Sequence, residues 1–82
     1  MNMTQFKNIV TGQITMHKET IEKAEKVGVT EIAESLKKAV NDLQDFLSNT
    51  SRYTVGKALN SDTYIISRKE TGERVQMISV FN

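Results

Sequence analysis

The chain has no cysteine. Disulfides, iron–sulfur clusters, thiol catalysis and cysteine-type zinc sites are therefore excluded. Histidine occurs once, as His17, and a solitary imidazole cannot assemble a metal site of the usual kind. No run of about 18 apolar residues is present, so nothing in the sequence suits a bilayer span. The first ten residues carry Lys7 within a periodic pattern. They lack the continuous apolar stretch of a signal peptide, which points to a cytoplasmic protein. Glycine-rich loops are missing as well. The Gly56-Lys57 pair has Ser51 five positions before it and Ala58 after it, where a phosphate-binding P-loop needs glycine and then Ser or Thr. Charge of one sign is also scarce. Eleven Lys and Arg against ten Asp and Glu leave a net +1 at pH 7, which argues against strong nonspecific attraction to nucleic acid or anionic lipid.

What is present reads as one small globular domain, residues 1–82. The 82 residues are 38% hydrophobic and 26% charged, near the lower limit of what a core can hold up alone. Self-association or a partner would add usefully to a stability of only a few kcal/mol.

Two stretches share a helical spacing. Phe6, Val10, Ile14, His17, Ile21 and Ala24 recur every three or four residues, and Ile32, Leu36, Ala39, Leu43 and Phe46 do the same. They predict helices over about residues 4–26 and 31–47. Asn2 or Thr4 can cap the first, and Gly28 suits the left-handed residue that ends it. Thr30 is placed to cap the second. Gly12, costing about 1 kcal/mol relative to alanine in a helix interior, marks a point where the first helix could kink. After residue 51 the period changes, and strands are expected over about 52–59, 63–69 and 74–81. Turns are expected at Asn60-Ser61-Asp62 and Glu70-Thr71-Gly72-Glu73. Pairing Arg68 with Glu73 would set Ile66 opposite Val75 and Tyr64 opposite Met77. The fold class is α+β, a helical hairpin followed by a three-stranded antiparallel meander (ααβββ).

Candidate functional residues fall into three groups. His17 could act as a base or pH switch, but no nucleophile or second ligand is spaced with it on its helix face, so a core-edge histidine is the simpler reading. Asp42 and Asp45, with Glu19, Glu22 and Glu25, could pair carboxylates for proton sharing or cation binding. Interspersed lysines read instead as a solvated helix face. Arg52, Lys57, Arg68, Lys69 and Arg74 lie in the strand region and could contact phosphates as a basic hairpin. Residues 29–36 resemble the opening of a helix-turn-helix unit. The helical period then continues past Leu36 where such a unit must turn, and Glu70 and Glu73 at the hairpin tip would repel phosphate.

The apolar surplus beside the two stripes is more telling. Ile9, Met16, Val40 and Leu47 make up this surplus. Either they widen a core-facing stripe or, with Phe6 and His17, they anchor a partner-binding surface on the helical layer, for another protein's helical segment, a membrane protein's cytoplasmic segment or a second copy of the chain. No catalytic constellation, cofactor motif or metal-ligand set is found, so a non-enzymatic binding role is expected, with DNA or RNA binding by the basic hairpin as the alternative. In its length, its Lys/Asn/Ile-rich usage and its absence of Cys, Trp and Pro, the chain resembles small bacteriophage accessory proteins. In particular it resembles the cytoplasmic antiholins of T-even phages. That resemblance implies a lysis-inhibition factor of the host cytoplasm that binds the cytoplasmic segment of a holin. It assigns no site residue.

Overall fold

A computed structural model describes residues 1–59 and 61–80. The chain folds as α1 (Met3–Lys26), α2 (Thr30–Ser48), a short 3-10 turn (Thr50–Arg52), β1 (Tyr53–Lys57), β2 (Thr63–Arg68) and β3 (Arg74–Ser79). The strands form one antiparallel sheet in the order β1-β2-β3, so the architecture is the expected α+β ααβββ. The turn residue Asn60 and the strand end at Phe81 lie outside the described residues.

α1 starts where a side chain can replace the missing helical acceptors. Asn2 Oδ1 accepts the Gln5 amide at 2.8 Å, and Gln5 Oε1 accepts the Asn2 amide at 3.0 Å, a reciprocal capping box. Thr4 lies inside the helix. The helix runs unbroken through Gly12. A glycine penalty of about 1 kcal/mol is outweighed by the flanking Val10 and Ile14, both buried, each contributing about 1.5–3 kcal/mol. At the other end Gly28 takes φ +78°. Its amide donates to the Glu25 carbonyl at 3.3 Å and the Val29 amide to Ala24 at 2.9 Å, the paired bonds of a Schellman stop.

The same stop corrects the expected cap of α2. Thr30 is already helical, and the cap position is Val29, whose side chain has no acceptor. Val29 both closes α1 and opens α2, so the connection leaves no residue free to cap by side chain.

The core contains Phe6, Val10, Ile14, Ile21 and Ala24 from α1, Ala33, Val40, Leu43 and Phe46 from α2, and Tyr53, Ile66 and Ile78 from the strands. In α2 the buried line begins at Ala33, while Ile32 is 51% exposed. A small residue facing α1 just after the tight turn lets the two helices approach closely, and the bulkier isoleucine turns outward. Phe46 sits at the hub. Its ring meets Phe6 edge-on at 5.8 Å and Tyr53 edge-on at 5.8 Å, while Phe6 meets Tyr64 at 5.4 Å.

The sheet register departs from expectation by one residue. Arg68 does bond Glu73, its amide donating to the Glu73 carbonyl at 2.8 Å, around a turn in which Gly72 takes φ +72°. The ladder then pairs Ser67 with Arg74 and Ile66 with Gln76. Val75 is left as the extra residue of a β-bulge. Ile66 therefore faces Gln76, not Val75, and Tyr64 faces Ile78, not Met77. Ile78 is buried, and Met77 is 63% exposed.

Candidate functional site

The helix stripe and the shifted register together build a groove. Ile9, Gln13, Met16 and His17 of α1 form one wall, and residues 76–79 of β3 with Val80 form the other. Leu43 of α2, fully buried otherwise, lies at the floor. The space between the walls is about 560 Å³. Ile9, Gln13 and Met16 follow one another at helical spacing on the flank of the buried stripe, which is why they border the core without entering it. A second hollow lined by Gln5, Asn8, Lys57, Asp62 and Tyr64 shares Ile9 and Val80 with it, extending the trough toward the start of α1.

Of the expected anchors, Met16 is 61% exposed and available, and Ile9 and His17 are half-buried in the groove wall. Leu47 packs partly buried against the core and does not line this groove. Phe6 and Val40 are corrections. At 3% and 6% exposure they are core residues, consumed by the aromatic hub and by the α1–α2 seam, and cannot anchor a partner.

The groove's chemistry is apolar, with the side-chain amides of Gln13 and Gln76 at its margins. Among the described residues its one titratable side chain is His17, and no carboxylate lines it. Ser79 is not turned toward His17. It pairs with Thr63 on the sheet's uncovered face, the two hydroxyl oxygens 3.5 Å apart. Among the described residues no group of three or more His, Cys, Asp or Glu could hold a metal ion, and no helix is long and apolar enough to cross a membrane.

The basic residues are divided. Arg52 and Arg68 share a small hollow with Glu70 and Thr71, and the Lys69 amide donates to the Arg52 carbonyl at 2.9 Å. Arg68 lies over the Tyr53 ring at 5.6 Å, with Nη1 3.4 Å from the Tyr53 hydroxyl. Lys57 stands at the opposite end of β1 beside Asp62. Arg74 begins β3, opposite Ser67. The five cations do not make one surface.

The acidic pair on α2 is tied to the sheet, a role its helix spacing did not reveal. Asp42 Oδ2 accepts from Lys38 and from Gln76 of β3, each at 3.2 Å. Asp45 accepts the buried Tyr53 hydroxyl through Oδ2 and the Asn49 amide through Oδ1 at 2.9 Å. The Tyr53 hydroxyl, then Asn49, hold the Asp45 carboxyl below its ordinary 3.8, with Arg68 and Arg52 adding to the effect. The hydrogen bond to Asp45, and then burial, raise Tyr53 above its ordinary 10.0.

The sign of each shift sets a pH window. Asp45 contributes stability above 3.8 that is lost as pH falls through its lower folded value. Tyr53 contributes stability below 10.0 that is lost as pH rises through its higher folded value. Tyr53→Phe is expected to destabilise most on the plateau between these limits. The gap from wild type should shrink at both extremes in denaturant titrations across pH. A gap independent of pH would detach the pair from stability.

No family model, curated protein or solved structure matches the chain. The groove is therefore read from its own chemistry. Among the described residues it is open, apolar, walled on one side by a helix and on the other by an unpaired strand edge, and it holds no paired acid and base.

Proposed function

We propose that this protein is a non-enzymatic regulator that binds another protein, seating an amphipathic segment of its partner in the groove between α1 and β3. The observation that carries this reading is the exposure of Met16, at 61%, on the helix wall of an apolar trough that Ile9, Ile78 and Val80 also line. A flexible thioether side chain on a groove wall suits the packing of a segment whose apolar residues vary in shape. Binding acts by occupancy: a partner held here cannot use the same segment for its own assembly, and no bond is made or broken. The resemblance to cytoplasmic antiholins gives the reading its specific form, in which the segment is the cytoplasmic part of a holin and the consequence is delayed lysis. The separation of Lys57 from Arg52, Arg68 and Lys69, with Glu70 among the latter, weighs against the alternative of a phosphate-tracking surface.

The test uses a synthetic peptide of a T-even holin's cytoplasmic segment. The wild-type protein is expected to bind it. Met16→Glu is expected to weaken binding at least about tenfold, because a carboxylate on the groove wall must be desolvated without a partner. Its circular dichroism and unfolding midpoint should be unchanged, since Met16 lies outside the core. A folded Met16→Glu variant that binds as tightly as wild type would move the docking surface elsewhere. Failure of the wild-type protein to bind would reject the antiholin form.

A further inference from the structure

We propose that β3 is also a self-association edge, pairing antiparallel with β3 of a second copy about a two-fold axis at Met77 to give a continuous six-stranded sheet. Among the described residues β3 ends the sheet, so one of its sides has no strand beside it. The backbone direction follows from its bonds. The Val80 amide donates to the Asp62 carbonyl at 2.8 Å, so Val80 turns its backbone toward β2. By strand alternation Ile78 and Gln76, opposite Tyr64 and Ile66, do the same. Met77 and Ser79 then present their amides and carbonyls outward.

Natural edge strands are usually blunted by charge, proline or a bulge. The other edge is: β1 contains Gly56 and Lys57 and is preceded by Arg52. In β3 such devices sit only at the start, as Arg74 and the bulge at Val75, and from Gln76 to Val80 the edge has none.

Charge compatibility favours a second copy as the occupant. A two-fold interface sets every residue against its own surroundings, so a charged edge would repel itself. With Met77 facing Met77 of the other copy, Gln76 faces Ile78, Val75 faces Ser79 and Arg74 faces Val80. No charge meets a like charge. The paired edge is short, six strand residues from each copy with Ile9 and Met16 of α1 alongside, which puts the interface at the small end of specific ones and makes the dimer a weak one. The pairing is closed, because the β3 edge is used up and the lysine-bearing β1 edge does not extend it. The second copy covers the strand wall of the groove proposed above for the partner, so the two occupants compete. The dimer itself does not rest on that reading.

Charge swapping at Met77 tests the pairing. In sedimentation velocity from about 1 to 200 µM, the wild-type protein is expected to shift from monomer toward dimer. Met77→Lys and Met77→Glu, each placing like charges face to face across the axis, are expected to remain monomeric. An equimolar mixture of the two should recover the dimer. Met77 is exposed, so both variants should keep the wild-type circular dichroism. Independently, in the wild-type protein the Met77 and Ser79 amides should gain hydrogen-exchange protection at the high end of the concentration range. A wild-type monomer throughout would overturn the proposal. So would a dimer indifferent to Met77→Lys, a mixture that stays monomeric, or a dimer whose Met77 and Ser79 amides exchange freely.

Discussion

Phe46→Ala is expected to lose about 3–5 kcal/mol of stability, the usual range for removing a buried phenylalanine ring. Phe46 is 0% exposed and is the one ring that meets both Phe6 of α1 and Tyr53 of β1. Its removal therefore leaves a cavity shared by α1, α2 and the sheet, and neither helix can close it without leaving the strands. A chain of 82 residues has about 4–12 kcal/mol in all, so the variant should be largely unfolded or marginal at 37 °C. Urea titration followed by circular dichroism measures the loss. Phe46→Leu, which keeps most of the volume, should retain a cooperative transition at a lower midpoint. A Phe46→Ala loss below about 1 kcal/mol would show that the helices and the sheet do not share this core.

Much of this arrangement was legible in the chain because helical and strand periods differ and the turns are chemically marked. Five of the six residues in the α1 stripe are buried, with His17 at its margin. Gly28 ends α1 as its freedom at positive φ suggests. The illegible parts all depend on partners distant in sequence. Ile32 and Ala33 are both apolar, and only the closeness of α1 decides that the smaller one turns inward. Val40 looks like surplus on a helix considered alone, but the helix seam absorbs it, and Phe6, at the head of the α1 stripe, is taken up whole by the aromatic hub. Asp45 reads as one more surface acid until Tyr53, eight residues later and on a strand, places a hydroxyl against it. The helical wall of the groove was partly visible, since Ile9 and Met16 flank the α1 stripe. The strand wall was not, because a single unpaired residue at Val75 decides which side chains of β3 form it.

That bulge makes the second large prediction. Ile78→Ala is expected to cost about 2–4 kcal/mol, and Met77→Ala less than about 0.5 kcal/mol, measured at low micromolar concentration by chemical denaturation. Successive strand residues point to opposite faces, so a shift of one position exchanges the core set for the solvent set. Without a bulge, the bond between Arg68 and Glu73 would carry Met77 opposite Tyr64 and onto the helix side, with Ile78 facing water. With Val75 unpaired, Ile78 takes the place opposite Tyr64 at 4% exposure, and Met77 goes to the uncovered face at 63%. Gln76 is also brought to the helix side, where its amide reaches Asp42 at 3.2 Å. The two registers thus predict opposite orders for the same pair of alanine variants. A Met77→Ala loss larger than that of Ile78→Ala would restore the straight ladder, and with it would go the groove's strand wall. The expected order keeps Ile78 in the core and Met77 on the uncovered face of the edge strand that a second copy would pair with.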